Sequence, residues 1–360
     1  MNLLFIIIIM TKKSIEYQYQ KPFLKWVGGK TQIMKDVIDK FPNKMNNYHE
    51  IFLGGGSVLL ALLTLKKDNK INVKGKIYAY DYNKKLINVY KCIQTDRKEL
   101  IEFVNKYKNE YESIEKFNTD YPDRPDKPEF LKQDILKNEK SEECKKFKKS
   151  EEYKNYLKTD EYKEYKKELN KINKIILELR KPNNLDTAIQ SKECYYYYLR
   201  NKFNTIDSDS IEYSALFIVI NKLCFRGVYR ESKNGLFNVP FGNYKPTPEI
   251  IKENEIDKIY ELIKDVEFIH SDFNDSIPKV MKGDFTYLDP PYAPVNEKSF
   301  VKYRGDGFNS ECHEKLFKRI SELNEKKIKF AMSNAKVKSV DDKFKNNNYQ
   351  YCEIIAKRSI

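Results

Sequence analysis

The chain has 360 residues, enough for one large domain or two medium ones. Hydrophobic residues make up 40% of the sequence, so a sizeable core can form, and charged residues make up 33%. The formal net charge of +14 suggests a polyanionic partner such as nucleic acid, although a generally lysine-rich composition explains the same excess equally well.

Cysteine and histidine usage argues against disulfides and metal. The six cysteines are scattered without a CxxC pair, and His49, His270 and His313 do not complete a recognisable metal-ligand spacing. We therefore expect reduced thiols, a cytoplasmic or nuclear setting and no bound metal.

The amino terminus carries an apolar run from Leu3 to Ile9 that is too short to span a bilayer. It lacks the basic region and the small-residue cleavage site of a signal peptide, and Met10 offers a second start. We expect residues 1–20 to be an N-terminal extension, with neither secretion nor membrane insertion.

Residues 21–103 alternate between strand and helix patterns. The pattern predicts an extended segment at 23–30 ending in a Gly-Gly turn, a helix at 33–41, a strand at 49–53, a glycine turn at 54–57, a helix at 58–66, a strand at 77–80 and a helix at 82–94. This order predicts a parallel sheet with helices on its faces.

Residues 104–190 change character, because Lys, Glu and Tyr dominate. The stretch 145–180 is predicted to be helical, so this region is interpreted as a charged helical insertion. Most such charge runs are solvated helix faces, and a role in tracking DNA is the minor alternative.

Residues 191–247 are aromatic and basic, with helices predicted at 195–203 and 211–223. Asn234-Gly235 between β-prone flanks is a strong hairpin signal. A two-stranded ribbon fits the DNA major groove, so a hairpin with Arg226, Arg230 and Lys233 is a candidate DNA reader. An ordinary surface hairpin is an equally weighted alternative.

The α/β pattern returns in residues 248–360. Strands are predicted at 267–271, ending at Asp272, at 284–288, leading to Asp289, and at 328–332, ending at Ser333-Asn334. The sheet is therefore interrupted by roughly the middle third of the chain.

Asp289-Pro290-Pro291-Tyr292 follows one of these strands, at the edge where open α/β sheets bind ligands. The Asp289 carboxylate and the Pro290 carbonyl can accept hydrogen bonds from a planar amino group. The prolines fix φ, and the Tyr292 ring can stack on a base. The motif predicts a nucleobase pocket, against the plainer alternative of a strand that stops at a Pro-Pro turn.

Taken in this order, the motifs resemble Dam-type (class alpha) DNA adenine-N6 methyltransferases, in which a cofactor motif comes first, a recognition region next and a catalytic motif last. Residues 23–30 (FLKWVGGK) are similar to the family's opening motif and residues 52–57 (FLGGGS) to its cofactor loop. Residues 235–244 (GLFNVPFGNY) resemble the exit of its recognition hairpin, residues 289–292 (DPPY) its catalytic motif and Ser333-Asn334 a later element.

The resemblance covers about residues 21–100 and 194 to the end. It implies an α/β fold, a Rossmann-like S-adenosylmethionine-dependent methyltransferase sheet with an inserted, mainly helical DNA-recognition domain that carries a β-hairpin. The expected parts are the extension 1–20, the cofactor part of the catalytic domain 21–103, the charged insertion 104–190, the target-recognition region 191–247 and the catalytic part 248–360. Family members usually continue with a basic element beyond Lys357-Arg358-Ser359-Ile360, so we expect a shortened carboxyl end.

The cofactor implied by the resemblance is S-adenosylmethionine. A glycine-rich turn before a helix lets backbone amides approach a ligand, and an acid at a strand end can bind ribose hydroxyls. The structural alternatives are plain turn glycines and helix-capping or loop-capping acids at Asp81 and Asp272. The implied contacts are Trp26, Lys30, Phe52, Gly54, Gly55, Gly56, Asp81, Asp272 and Asp289.

The implied chemistry needs no metal, because the sulfonium already makes the methyl group electrophilic. Asp289 and the Pro290 carbonyl would accept the two amine protons of an adenine flipped out of the duplex, and this favours a more nucleophilic nitrogen. The implied catalytic set is Asp289, Pro290, Pro291 and Tyr292. Phe300 and Tyr303 would help to close the pocket, unless they belong to the core.

The expected partner is double-stranded DNA, contacted by Arg226, Arg230, Lys233 and Asn234. GATC is the first guess for the site, because Dam-like proteins commonly recognise it; whether a restriction endonuclease counterpart exists stays open. Two alternatives remain. One is a methyltransferase acting on RNA or on a protein amide, which would more often carry Asn at the first catalytic position. The other is a non-catalytic or decayed DNA-binding relative.

Overall fold

A computed structural model describes residues 2–7, 18–139, 141–293, 308–345 and 349–354, with the backbone alone for the first of these ranges. The chain divides into two compact units. The sheet unit comprises Met1–Glu110 and Lys202–Ile360, and the helical unit comprises Tyr111–Asn201. Across the described ranges, no helix combines the length and the apolar character needed to cross a membrane.

The sheet unit is organised around a parallel sheet. Among the described residues it has seven strands, in the spatial order β6-β5-β3-β7-β8-β1-β9, and β2 and β4 form a separate two-stranded pair. The strands are β1 (Asn2–Ile7), β2 (Lys44–Met45), β3 (Tyr48–Glu50), β4 (Asn72–Val73), β5 (Ile77–Asp81), β6 (Val266–His270), β7 (Phe285–Leu288), β8 (Lys329–Ala335) and β9 (Tyr349–Ile354). The prediction of an α/β fold with a parallel sheet is confirmed.

The order of the strands reverses direction between β3 and β7, and this leaves a crevice at the carboxyl ends of these two strands. From β3 the chain continues outward to β5 and β6, whereas from β7 it continues in the other direction to β8 and β9. The two central strands are neighbours, with Glu50 opposite Tyr287. Ligands bind at such a switch point, outside the carboxyl ends of the strands. The loops after β3 and β7 therefore meet where a ligand site is expected.

The helices differ in how they are buried. Helices α2 and α11 are apolar on most faces and are almost fully buried, as expected of core helices. The helices are α1 (Met34–Ile38), α2 (Ser57–Lys67), α3 (Lys84–Thr95), α4 (Arg97–Glu112), α5 (Asp134–Lys137), α6 (Glu142–Phe147), α7 (Glu151–Tyr156), α8 (Asp160–Leu179), α9 (Leu185–Ala188), α10 (Lys192–Phe203), α11 (Ile211–Leu223), α12 (Glu253–Ile263), α13 (Phe273–Ser276), α14 (Ser310–Glu325) and α15 (Lys338–Phe344).

The helical unit is built from short helices that begin at side-chain caps. Ser141, Ser150 and Thr159 each accept a hydrogen bond from the third residue of the following helix, and acidic residues occupy each first turn. Phe130 stacks on Tyr156 with ring centroids 3.9 Å apart. The predicted helical stretch 145–180 is therefore divided among α6, α7 and α8.

Two sequence expectations differ from the structure. Residues 23–30 form no strand; they run irregularly into a turn closed by the Gly29 amide, which donates to the Trp26 carbonyl at 3.3 Å. Residues 2–7, expected only as part of an extension, form β1 between β8 and β9. Neither feature follows from local periodicity, because the first depends on a turn and the second on pairing with distant strands.

Candidate active site

The glycine-rich loop after β3 requires glycine for steric reasons. Gly54 and Gly56 have φ values of +51° and +68°, in the left-handed region that other residues rarely adopt. A Cβ on Gly55 would lie 2.8 Å from the Trp26 Cβ, and one on Gly56 would lie 2.4 Å from the Tyr90 hydroxyl. The loop therefore passes closely beneath Trp26 and leads directly into the amino end of α2.

Asp81 ties the end of β5 to this loop. Its Oδ2 accepts a hydrogen bond from the Gly54 amide at 2.9 Å, and its Oδ1 accepts one from the Asn83 amide at 2.8 Å. Asn83, rather than Asp81, caps α3 by accepting from the Leu86 amide. Asp81 therefore orients the glycine loop, and its predicted contact with ribose hydroxyls stays a prediction.

Lys30 brings three sequence motifs together. Its Nζ donates to the Gly28 carbonyl at 2.6 Å and to Oδ2 of Asp289, and it lies 5.2 Å from the centre of the Tyr292 ring. Its backbone amide donates to the Ser57 hydroxyl at 3.3 Å. The Lys30 side chain is only 3% exposed. Lys30 therefore joins the opening motif and the DPPY motif through its buried ammonium, and the end of the glycine loop through its backbone amide.

Asp289 lies at the centre of this arrangement, at the carboxyl end of β7. Burial raises the pKa of its carboxyl group above the usual value, and the charge and hydrogen bond of Lys30 oppose that effect. Oδ2 is paired with Lys30, whereas the buried Oδ1 has no hydrogen-bond partner among the described residues. Within the described part of the chain, the site thus contains one buried acceptor atom that no protein group contacts.

A buried glutamate lies behind the ion pair, and sequence reasoning missed it. Glu50 is 1% exposed and accepts a hydrogen bond from the Tyr48 hydroxyl at 2.7 Å. Burial raises the pKa of Glu50 to about 8, with the negative charge of Asp289 adding to the effect. The sequence signal for this site is a glutamate inside the apolar run just before the glycine loop.

Aromatic rings flank the glycine loop on both sides. Trp26 stacks on Tyr229 and Phe217, with ring centroids 5.5 Å and 6.2 Å away. Phe52 packs against Phe273 at 5.8 Å and against Phe308 at 6.2 Å. Phe217, Phe273 and Phe308 are buried, so Trp26 and Phe52, which are only partly buried, are the rings near the glycine loop that a planar heterocycle can contact.

Asp272 occupies the end of the strand beside β5. The Ser271 amide donates to the Asp81 carbonyl at 3.1 Å, so the two acidic strand ends are neighbours. The Asp272 side chain accepts from the Asn274 amide at 2.9 Å and caps α13. Its capping role is therefore visible, and its contact with a cofactor stays a prediction.

Pro290 and Pro291 lead from Asp289 to Tyr292 and on to Ala293, where the end of β8 braces the loop. The Asn334 side chain accepts hydrogen bonds from the Ala293 amide at 3.1 Å and from the Ala335 amide at 2.8 Å. Ser333 and Tyr287 share a hydrogen bond of 2.7 Å between their hydroxyl groups. The Ser333-Asn334 element therefore holds the DPPY loop. Phe300 and Tyr303 lie outside the described residues.

The four DNA candidates are all exposed, and they lie on a short loop and hairpin. Arg226 adopts a left-handed conformation with φ of 57°, and Arg230 donates through Nε to the Asn238 side chain at 2.7 Å. The chain reverses at Lys233 and Asn234, inside a turn closed by the Gly235 amide on the Ser232 carbonyl at 3.0 Å.

The side-chain amide of Asn221 connects the loop that contains Gly227 to the segment before Trp26. The Asn221 side chain is 3% exposed and makes reciprocal 2.8 Å hydrogen bonds with the backbone amide and carbonyl of Lys25. It also donates to the Gly227 carbonyl at 3.2 Å. Because Trp26 directly follows Lys25, the loop that carries Arg226 and Gly227 is fixed to the segment that covers the glycine bend.

Metal ligation has no structural support in the described ranges, which contain no cluster of three or more His, Cys, Asp or Glu side chains able to hold an ion. His313 is buried among aromatic rings, and burial lowers its pKa to about 4. His49 pairs with Asp284 at 3.2 Å, below the sheet edge that carries the site.

The sequence is similar to known DNA methyltransferases over most of its length. A family model described as "D12 class N6 adenine-specific DNA methyltransferase" matches residues 26–164 and 143–360. Over 323 residues the chain is 28% identical to "Type II methyltransferase M.MjaIII" of Methanocaldococcus jannaschii, covering 88% of this chain and 84% of that protein. It is 25% identical to "Type II methyltransferase M1.LlaDCHI" of Lactococcus lactis subsp. cremoris, covering 92% and 87% of the two chains. It is also 25% identical to "DNA adenine methylase" of Haemophilus influenzae, covering 94% and 87%.

Proposed function

Because the chain belongs to the D12 class N6 adenine-specific DNA methyltransferase family, we propose that it methylates the exocyclic amine of an adenine flipped out of double-stranded DNA, within GATC or a related site. The observation that carries the proposal is the geometry of Asp289. Lys30 holds Oδ2, and the buried Oδ1 is left as an oriented acceptor for one amine proton.

The ion pair explains how Asp289 would act as an acceptor rather than as a base. Lys30 favours the ionised carboxylate, against the opposing effect of burial on its pKa. An ionised Asp289 and the rigid Pro290 carbonyl can each accept one proton of an amine, which localises the lone pair on the nitrogen. This interaction strengthens as positive charge develops on that nitrogen, so it lowers the barrier rather than only binding the base.

Stacking would offset part of the cost of extruding the base, which is about a few kcal/mol. Tyr292 lies beside Lys30 at the end of the DPPY motif, where its ring can cover a base whose amine reaches Asp289. Pro291 limits the freedom of the backbone just before it. The pocket would therefore hold the base by its amine edge and by one face.

The surroundings of the glycine loop fit S-adenosylmethionine. Gly54, Gly55 and Gly56 allow backbone approach, and Asp81 has the lone pairs to bind ribose hydroxyls. Asp272 and Phe52 would flank the adenine ring of the cofactor, and Trp26 lies over the loop. When bound there, the cofactor would supply the electrophilic methyl group. Lys30 and Asp289 would border its reactive end.

The exposed basic residues would bind the duplex. Arg226, Arg230, Lys233 and Asn234 lie on one loop and hairpin, and arginine contacts to guanine are the commonest specific contacts in the major groove. The hairpin is therefore the proposed reader of the sequence, and GATC is the first sequence to test. Two relatives are named type II methyltransferases, so a restriction endonuclease that acts at the same site is part of the proposal.

The test is methyl transfer to defined nucleic acids. The purified chain is incubated with tritium-labelled S-adenosylmethionine and with duplexes that contain GATC or a scrambled sequence, beside RNA and protein acceptors. DNA from cells that express the chain is sequenced for modified adenines, which gives the site without prior assumption. Transfer only to RNA or protein, or to no acceptor at all, would reject the proposal.

Asp289→Ala is the decisive variant. Loss of an oriented transition-state contact costs about 10²–10³ in rate, so transfer should fall by at least that factor. Cofactor binding, measured by calorimetry, should persist, whereas a decayed relative would bind no cofactor even as the unmodified chain. Asp275→Ala on the exposed side of α13 is the matched control and should keep full activity.

A further inference from the structure

Lys85, on the first turn of α3, contacts two separate parts of the hairpin. Its Nζ donates to Glu231 Oε1 at 2.7 Å, in the first arm, and to the Gly235 carbonyl at 3.3 Å, in the turn. The Lys85 and Glu231 side chains are each 28% exposed, so solvent screens this ion pair only partly. One side chain thus fixes both an arm and the turn of the hairpin.

The hairpin needs such support because its own pairing is sparse. Glu231 and Phe237 form an isolated antiparallel bridge, and backbone hydrogen bonds join Ser232 to Leu236 and Arg230 to Asn238. A lone two-stranded hairpin of this size is marginally stable in water. Its position relative to the rest of the sheet unit is therefore set by contacts from outside.

Glu231 connects the clamp to the aromatic stack over the glycine loop. The Tyr229 hydroxyl donates to the same carboxylate oxygen that Lys85 contacts. The Tyr229 ring stacks on Phe217 at 5.2 Å and on Trp26 at 5.5 Å. The carboxylate of Glu231 is thus held from two sides, by a helix that follows the Asp81 turn and by the stack that covers the glycine bend.

We propose that Lys85 is a positioning residue for target recognition: by holding Glu231 and the Gly235 carbonyl, it fixes the hairpin in the pose that reads DNA. The inference rests on the proposed function, in which this hairpin is the reader. Preorganisation of a binding loop lowers the cost of ordering it on association. Without the Lys85 contacts, the first arm and the turn lose their tie to α3, while the Asn204 side chain still holds the Phe237 backbone in the second arm. Such a hairpin would still carry its basic residues, so it would bind DNA but discriminate poorly between sequences.

The neighbouring lysine offers a matched control. Lys84 pairs with Asp209 at 2.8 Å and touches no hairpin residue in the described contacts, and its side chain is 51% exposed. Lys84→Met and Lys85→Met remove the same charge from adjacent positions of one helix. Lys85→Arg keeps the charge and a donor, so it should restore much of the function.

The experiment compares kcat/KM on a duplex with the methylated sequence found for the unmodified chain and on duplexes that differ by one base pair. Lys85→Met should lower this discrimination by about tenfold, the scale of one specific base contact. Lys84→Met should match the unmodified chain. Cofactor affinity and the midpoint of thermal unfolding should be unchanged in both, which separates positioning from loss of fold.

Glu231→Gln tests the same clamp from the other side and keeps the inference testable if Lys85→Met folds poorly. It should also lower discrimination, because it removes the charge that Lys85 contacts. Unchanged discrimination in folded Lys85→Met or Glu231→Gln protein, with an active unmodified chain, would overturn the inference alone. An unmodified chain that methylates no DNA would overturn the inference together with the proposed function.

Discussion

The two units of the chain are rich in the same residues but use their charges differently. The helical unit, Tyr111–Asn201, contains 21 of the 67 Lys and Arg residues and 19 of the 53 Asp and Glu residues, so its charges nearly cancel at +2. The sheet unit therefore carries the other +12. The basic excess is concentrated in the unit that holds every candidate active-site residue and DNA contact, as expected if it serves a polyanionic partner.

The two units also differ in how far apart in the sequence their ion-paired residues lie. In the helical unit most of them join residues three or four positions apart, as in Lys154–Glu151 and Lys163–Asp160. In the sheet unit several join distant segments, among them Lys30–Asp289, Lys85–Glu231 and Arg97–Asp257. Local pairs on exposed helices contribute only a few tenths of a kcal/mol each, about 0.3–0.5. Long-range pairs instead fix the relative position of loops.

The burial of the helices completes the comparison. Helix α2 of the sheet unit is almost wholly buried, whereas α8 of the helical unit, at 20 residues the longer of the two, has no fully buried residue. A helix with an exposed surface depends on its cap and its local pairs, while a core helix depends on packing. Helices in the sheet unit therefore depend mainly on packing, whereas helices in the helical unit depend mainly on caps and local ion pairs.

The largest effect should come from truncating one buried leucine. Leu60 on α2 is fully buried, and Leu60→Ala should lower the free energy of unfolding by about 2–5 kcal/mol, because it removes apolar contacts and leaves a cavity. Ile175 on α8 is 37% exposed, and Ile175→Ala should cost clearly less, about 1 kcal/mol or below. Urea unfolding of both variants gives the two values.

Equal losses in the two variants would contradict this contrast. A second substitution on the exposed face of α8, Glu168→Ala, checks that the helical unit tolerates change generally and should stay within about 0.5 kcal/mol of the unmodified chain.

A smaller effect, on the pH dependence of catalysis, should follow from breaking the ion pair between Lys30 and Asp289. Burial already raises the pKa of Asp289, and Lys30 opposes that shift, so Lys30→Met should raise the pKa further. In the proposed function the carboxylate is the active form, so activity should fall as pH drops through this pKa. The acid limb of kcat/KM should therefore move to higher pH, with at least about a tenfold loss, or about 1.4 kcal/mol, on its acid side.

The matched control for Lys30→Met is Lys163→Met, which breaks a local pair on α8. It should leave the whole pH profile unchanged. If the acid limb of the Lys30→Met variant stays in place, Lys30 does not set the protonation of Asp289, and the assigned role of the ion pair is wrong.

Much of the fold follows from local patterns in the sequence. Helix α11 was predicted at 211–223 and is found at Ile211–Leu223, and β5 was predicted at 77–80 and is found at Ile77–Asp81. Such elements are predictable because apolar periodicity and capping residues are signals within a short stretch of sequence. The pairing of β1 with β8 and β9 could not be predicted this way, because nothing within residues 2–7 specifies partners more than 300 positions away.

The candidate site divides in the same way. The glycine loop and Asp289 stand out in the sequence because turn chemistry and strand ends are local features. The contact between Lys30 and Asp289 spans 259 positions, and the clamp of Lys85 on Glu231 spans 146. Sequence singled out Lys30 through a family resemblance, as a cofactor contact, and it did not predict the carboxylate that Lys30 holds. Burial of Glu50 was missed for the same reason, since the groups around it include Lys30 and Asp289, which lie far from it in the sequence.

The smallest effect should be on the salt dependence of DNA binding, which tests the uneven distribution of charge between the two units. Each protein–phosphate contact contributes about 0.9 to the slope of log affinity against log salt concentration. Lys233 is exposed beside the hairpin turn of the sheet unit, and Lys233→Gln should reduce that slope by about 1, with affinity falling by a similar factor on specific and scrambled duplexes. Lys167→Gln, which removes an exposed charge from α8, should leave the slope unchanged, because the charges of that unit nearly cancel. Fluorescence anisotropy titrations at several salt concentrations measure both slopes.

An equal change in the two variants would show that α8 also contacts phosphate. The contrast between the units would then lie in burial and in the sequence separation of ion pairs rather than in DNA contact.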